Sequence, residues 1–243
     1  MSVENGKEIG EKSQVGFLPY VEGKTIQENL LKLTCGEKFV FKTFKQMEKD
    51  NSNLAQFLIN QSYHEFDSYL FLEGAAFTYQ CLFNEAKNKR TSLPLISKQA
   101  VQTLSEELDN ERKIHMAKEE KIKKETEHSL VNLLENENLD FANPNDLSEY
   151  LSKISELFYG FAEKDQNTLR ETGERIAKIL PFPNFYCQEN PHLMEAIKKI
   201  SLNPYAPQIE VGTKLKGAMF TYELLRRQAE TDYLEKKLGL TKS

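Results

Sequence analysis

Glu125 and His128, in the stretch ETEH, have the spacing of a metal-binding pair on one face of a helix. In di-iron proteins this E-x-x-H pattern is completed by a second such pair and by glutamates from two further helices. Here the pair lies in the most highly charged segment of the chain, where carboxylate and ammonium groups are solvated. The pattern therefore indicates an exposed helix face, and we expect no metal site and no cofactor.

The sequence also lacks the short motifs of the common nucleotide-dependent enzymes and hydrolases. It contains no G-x-G-x-x-G, G-x-x-x-x-G-K-[ST], G-x-S-x-G or H-E-x-x-H. His64 and His192 are isolated from any recognisable nucleophile, and Cys35, Cys81 and Cys187 form no C-x-x-C pair. We therefore predict no catalytic residue and reduced thiols, although an enzyme without a known motif stays open.

The composition is that of a folded globular chain. Of its 243 residues 39% are hydrophobic and 28% are charged, and the net charge is −5. No stretch approaches the ~20 apolar residues of a membrane span, and the polar N-terminus lacks the apolar core of a secretory signal. A cytoplasmic protein is the expectation, with neither a membrane nor a nucleic acid as an expected partner.

One thirteen-residue stretch occurs twice, as GAAFTYQCLFNEA from Gly74 and as GAMFTYELLRRQA from Gly217. A short helical pattern that begins at an asparagine, Asn51 or Asn190, precedes each copy. Glycine inside a helix costs about 1 kcal/mol relative to alanine, so its presence in both copies indicates close helix packing. A ligand cavity at the glycines is the alternative. The predicted helix-packing residues are Gly74, Phe77, Thr78, Tyr79, Gly217, Phe220, Thr221 and Tyr222.

Helical patterns dominate the remainder, so the predicted fold class is all-α, with duplicated helical hairpins forming a bundle and joined by a long charged helix. Residues 38–45 fit either a strand or a helix. After the long helix, the sequence predicts a segment with one amphipathic helical face and then a separate helix at about 167–180. That face contains Leu147, Tyr150, Leu151, Ile154, Leu157, Phe158 and Phe161. The predicted domains are a disordered tail (1–15), a first helical repeat unit (16–96), a long connecting helix (97–140) and a second helical repeat unit (141–243).

Three functions are compatible with this organisation. The leading hypothesis is a non-enzymatic interaction or regulatory protein that binds protein partners, with a homodimer formed through the long coiled-coil-like helix. The alternatives are a small-ligand or metal-dependent enzyme with a site between the hairpins, and a nucleic-acid-associated factor of a plasmid or phage. The expected partner contacts are Phe182, Phe185 and Tyr186 in an aromatic loop, and Arg226 and Arg227 on the last helix.

Replacing either repeated glycine by leucine tests the packing hypothesis. Gly74→Leu and Gly217→Leu should each destabilise the protein by at least ~1–3 kcal/mol, because the added side chain would overpack the helix contact. Thermal melts provide the measurement, and melting temperatures equal to that of the parent would rule out close packing at the glycines.

Overall fold

The computed structural model describes residues 17–65, 67–136, 144–179, 188–201 and 208–240. These residues form helices and no strand, which confirms the all-α fold. Residues 38–45 are helical. The helices are α1 (Gly23–Leu33), α2 (Glu37–Asp50), α3 (Ser52–Ser62), α4 (Ser68–Asn88), α5 (Lys98–Asn136), α6 (Pro144–Ile179), α7 (Pro191–Ser201) and α8 (Gln208–Lys237).

The chain separates into two compact units. The first unit combines residues 1–101 with residues 182–243, and the second comprises residues 102–181. The two copies of the repeated stretch therefore belong to the same unit. The boundaries drawn from the sequence at residues 97 and 141 stay a prediction, and the predicted tail at 1–15 lies outside the described residues.

In the first unit, α4 and α8 pack against each other at the centre, and α1, α2, α3 and α7 pack around them. The aromatic ring of Phe220 on α8 lies 5.7 Å from that of Phe71 on α4 and 5.8 Å from that of Phe57 on α3, measured between ring centroids. Tyr79 and Tyr222 are among the largest fully buried side chains. This aromatic core joins α3, α4 and α8.

The closest approach in this core is between Gly74 and Gly217 and the backbone of the opposite helix. A Cβ atom on Gly74 would lie 1.9 Å from the carbonyl oxygen of Lys214, and one on Gly217 would lie 1.9 Å from that of Phe71. The contact is reciprocal, since Lys214 and Phe71 each precede the glycine of their own helix by three residues. Any side chain at either glycine would therefore push the two helix backbones apart.

The threonines of the two copies make the same bond. Thr78 Oγ1 donates a hydrogen bond to the carbonyl oxygen of Gly74, and Thr221 Oγ1 donates one to that of Gly217, at 3.0 and 2.9 Å. Each copy lies on a long helix that follows an eleven-residue helix, α3 or α7. Duplication of a whole hairpin stays a prediction, and the shared local geometry is its support.

The second unit contains α6 and the part of α5 that follows Val101. Arg175 on α6 pairs with Glu111 on α5, and Lys164 Nζ lies 3.1 Å from Glu125 Oε2. Contacts from later residues of α6 to earlier residues of α5 make the pair antiparallel. The prediction of a separate helix at 167–180 is wrong, because α6 is continuous. No proline or glycine interrupts the helix between residues 161 and 172, so nothing stops it from propagating.

Alanine substitutions on α8 separate close packing from helix propensity. Gly217→Ala should destabilise the protein by ~1–3 kcal/mol, since its Cβ overlaps the backbone of α4. Gly212→Ala is the matched control on the same helix. A Cβ there meets nothing within 4 Å, so the substitution should stabilise by up to about 1 kcal/mol through helix propensity. Urea unfolding measures both changes, and equal effects at the two glycines would contradict the reciprocal contact.

Candidate functional site

A groove lies on the surface of the first unit. It has a volume of about 670 Å³ and lies between the end of α1, the outer face of α2 and the second half of α4. Gly36 has a φ of +55°, a conformation that favours glycine, and it lets the chain turn tightly from α1 into α2. This turn brings the end of α1 and the exposed face of α2 to the same wall of the groove.

Basic and aromatic side chains together line this groove, which we call the lysine groove. The lining contains three phenylalanines and four lysines and, within the described part of the chain, no aspartate or glutamate. Phe39 lies on the buried face of α2, whereas the side chain of Phe41 is 64% exposed. Lys45 Nζ lies over the Phe41 ring, 4.6 Å from its centroid. The lining residues are Lys32, Cys35, Lys38, Phe39, Phe41, Lys42, Thr43, Gln46, Gln80, Phe83, Asn84 and Lys87.

A chain of hydrogen bonds fixes the polar side of the groove. Thr43 Oγ1 donates to Gln80 Oε1 at 3.3 Å, and Gln80 Nε2 donates to Asn84 Oδ1 at 2.9 Å. Asn84 Nδ2 then donates to Oδ1 of the fully buried Asn29 at 3.0 Å. Because each amide is held by its neighbour, the surface between the lysines is preorganised.

A smaller cavity of about 360 Å³ adjoins the lysine groove, and Phe83 and Lys87 line both. Its walls include Tyr79, which stacks on Phe83 with ring centroids 5.8 Å apart, and Leu95, which is exposed. Burial raises the pKa of the Tyr79 hydroxyl, and the negative charge of Asp50 raises it further. The tyrosine therefore stays protonated at neutral pH and can donate a hydrogen bond.

The second copy has a closed polar cluster at the corresponding tyrosine. Asn190 Nδ2 donates to the hydroxyl of Tyr222 at 2.9 Å, and this hydroxyl donates to Glu189 Oε2 at 3.0 Å. Asn190 Oδ1 also accepts a bond from the backbone N–H of Val21 at 2.7 Å. Within the described part of the chain, Glu189 Oε1 is the one buried side-chain oxygen without a hydrogen-bond partner. An ionised carboxylate is therefore poorly solvated at this position.

The structure places the predicted contact residues in different settings. Arg226 Nε lies 3.1 Å from Glu223 Oε2, and Arg227 Nε lies 2.6 Å from Glu223 Oε1, so both guanidinium groups surround one buried carboxylate. Their role as partner contacts stays a prediction, as does that of the aromatic loop. Phe182, Phe185 and Tyr186 lie outside the described residues.

Among the described residues, the histidines of these motifs lie in no cluster of side chains that could bind a metal ion. Glu125 pairs with Lys164, and His115 Nε2 lies 3.0 Å from Glu119 Oε1. Sequence reasoning also missed that Glu189 and His192 have E-x-x-H spacing. The ring of His192 packs edge-on against Tyr20, with centroids 5.8 Å apart. In the ranges that the structure describes, no group of three His, Cys, Asp or Glu side chains could hold a metal ion.

The lysine groove itself was not predicted. The stretch KFVFKTFK contained a usable signal, because Lys38, Lys42 and Lys45 recur on the exposed side of a helix whose Phe39 and Val40 are buried. That signal could be read only after the segment was known to be helical. Lys87 lies 45 residues after Lys42, and only the packing of α4 against α2 brings it to the groove.

No protein-family model, curated protein or solved structure matches this chain. None of the described helices combines the length and the apolar character that crossing a membrane requires. We therefore infer function from the geometry of the chain's own residues.

The buried carboxyl group of Glu189 generates a pH-dependent prediction. Burial raises its pKa, the Tyr222 hydrogen bond and the Arg226 charge oppose that rise, and Glu223 and Glu230 add to it. The folded protein therefore holds this proton more tightly than the unfolded chain does. The resulting stabilisation is present below the ordinary glutamate pKa of about 4.3 and is lost as pH rises through the folded value.

Glu189→Gln should consequently be more stable than the parent at pH 7, with the difference shrinking towards pH 4. The amide keeps the shape of the side chain and needs no ionised state. Urea unfolding of both proteins at several pH values measures the difference, with the exposed Glu235→Gln as the control on α8. A parent that gains stability relative to Glu189→Gln as pH rises would contradict the prediction.

Proposed function

We propose that this protein is a non-enzymatic binding protein and that the lysine groove holds an acidic, amphipathic helix of a partner protein. The observation that carries this proposal is the composition of the groove: four lysines and three phenylalanines, with no acidic residue among the described lining. A helix with an apolar stripe and acidic flanks is complementary to such a surface in both shape and charge.

The charge of the groove contrasts with that of the whole chain. The net charge of the protein is −5, yet lysines from α1, α2 and α4 converge here. A carboxylate about 4 Å from an ammonium group near a protein surface interacts by roughly 4 kcal/mol before its desolvation is counted. The lysines would therefore select an acidic partner, and they would do so less strongly at high salt.

The aromatic side chains supply the apolar part of the interaction. Phe41 is largely exposed in the free protein, and Phe83 is half-buried at the boundary with the smaller cavity. Covering an exposed phenylalanine contributes about 25 cal/mol per Å² of apolar surface removed from water. An apolar side chain of the bound helix would pack against Phe41, and a second one would reach the cavity beside Tyr79.

This groove favours a peptide over the alternative ligands. A nucleic-acid surface gains most of its affinity from many phosphate contacts, whereas much of the lining here is aromatic or amide-bearing. A site for a small molecule usually encloses most of the ligand, whereas the lysine groove is open to solvent along one side. Open, apolar and basic surfaces suit an acidic amphipathic helix.

Fluorescence anisotropy with a labelled synthetic helix tests the proposal. The probe is a peptide of about 18 residues, long enough for five turns, with leucine and phenylalanine on one face and glutamate on both flanks. We expect saturable binding that weakens with salt. Lys32→Glu should reduce the affinity about tenfold, since it replaces an attraction with a repulsion worth ~1.4 kcal/mol in total.

Lys24→Glu is the matched control. Lys24 is also an exposed lysine of α1, but it does not line the groove, so its reversal should leave the affinity within about twofold of the parent. Phe41→Ala should weaken binding at high salt as well as at low salt, because its contribution is apolar. Equal losses in Lys32→Glu and Lys24→Glu would show that overall charge, not the groove, attracts the peptide.

Two further probes distinguish the alternatives. A peptide of the same apolar pattern with lysine in place of glutamate should not bind. A labelled single-stranded oligonucleotide should bind at least tenfold more weakly than the acidic peptide. If the oligonucleotide binds more tightly than the peptide, and Lys32→Glu weakens that binding, the nucleic-acid hypothesis would replace the peptide proposal. A cytoplasmic location stays a prediction beside this proposal. A homodimer through the long helix α5 also stays a prediction, and it is an alternative to the α6 contact that is inferred below.

A further inference from the structure

An apolar stripe on α6 is left uncovered in the second unit. Leu151, Phe158 and Leu169 are 56%, 54% and 52% exposed, and Ala162 is exposed between them. At 100° per residue these four positions fall within about 20° of one line along the helix. The stripe they form, which we call the α6 stripe, is about 27 Å long at 1.5 Å per residue.

The second unit has little buried apolar surface to stabilise its helices in this region. Among the described side chains from residue 109 to residue 179, Thr168 alone is buried. Polar contacts join α5 to α6 there, among them those of Arg175 with Glu111 and of His115 Nδ1 with Thr172 Oγ1. Long helices in water depend on covering their apolar face, and the α6 stripe lies to one side of these contacts.

We infer that a second copy of this chain covers the α6 stripe, with the two α6 helices packed antiparallel about a two-fold axis. The stripe is symmetric in sequence about position 160, since Leu151 and Leu169 lie at equal distances from it, as do Phe158 and Ala162. An antiparallel pair therefore places each Leu151 opposite the other copy's Leu169. It also places the large Phe158 opposite the small Ala162, so the central contacts are complementary in size.

The residues beside the stripe permit this approach. On the side away from α5 the nearest positions within the stripe, Ser155 and Gln166, are exposed and uncharged, and Arg170 lies further around the helix at the angle of Ser152. Two copies would therefore not bring like charges together along that flank. On the side towards α5, the nearest charged residue is Asp165, which lies about 40° from the stripe and is half-buried. The interface suits a copy of this chain because the same stripe supplies both halves.

The size of the stripe also predicts the strength of the contact. A single helix from each copy forms an interface below the ~1,200 Å² at which stable complexes begin, so the dimer should dissociate on dilution. Association would place two lysine grooves in one particle. The inference itself depends on the α6 stripe alone and would survive a failure of the peptide proposal.

Sedimentation equilibrium of the full chain over a wide concentration range tests the inference. The parent should shift from monomer to dimer as concentration rises, and Phe158→Glu should weaken the association at least tenfold. Met116→Glu is the matched control, since Met116 is a 67% exposed apolar residue on α5. It should leave association unchanged. A parent that stays monomeric throughout, or an effect of Met116→Glu that exceeds that of Phe158→Glu, would overturn the inference.

Disulfide trapping tests the predicted register. In a chain with Cys35→Ser, Cys81→Ala and Cys187→Ser, the double variant Leu151→Cys and Leu169→Cys should form a closed covalent dimer on mild oxidation. Two-fold symmetry places both cysteine pairs within one dimer, so no longer ladder should appear. Ser152→Cys with Arg170→Cys, one residue further around the helix, should cross-link more slowly. Disulfide-linked species larger than a dimer, or equal cross-linking rates in the two double-cysteine variants, would show that the antiparallel register is wrong.

Discussion

The reciprocal contact of Gly74 and Gly217 is the constraint on which the first unit depends. Each glycine faces a backbone carbonyl of the opposite helix, so α4 and α8 approach more closely than helices with side chains at the contact can. This approach brings Phe71 and Phe220 together and lets Phe57 of α3 complete an aromatic core. The remaining helices of the unit pack around α4 and α8. The distance between those two helices is set by the two glycines, which have no side chain at the contact.

The asparagines that precede α3 and α7 connect this centre to the extended segments around it. Asn51 lies at the N-terminus of α3, yet its side chain bonds the backbone of Pro94 and Ile96 instead of capping the helix. Asn190 holds the backbone of Val21 in the same manner and adds the bond to Tyr222. A residue type that favours helix ends thus provides long-range contacts in both copies.

The lysine groove and the α6 stripe differ in what they imply about partners. The groove is preorganised by an amide chain and presents charge beside aromatic rings, a combination suited to an acidic helix. The α6 stripe is apolar, narrow and symmetric in sequence, a combination suited to a second copy. A binding protein that dimerises weakly would gain affinity for partners that carry two acidic helices, without any change in the groove itself.

The sequence by itself determined the helical class and showed that the glycine-bearing stretch occurs twice, because helix periodicity and repeated residues are local signals. It did not determine the role of Thr25, whose hydroxyl donates a hydrogen bond to the buried carboxylate of Glu85 at 2.7 Å. Nor could it show that Lys32, Lys42 and Lys87 share one groove. Which distant side chains meet is decided by how α1, α2 and α4 pack, and that packing depends on contacts between residues far apart in the chain.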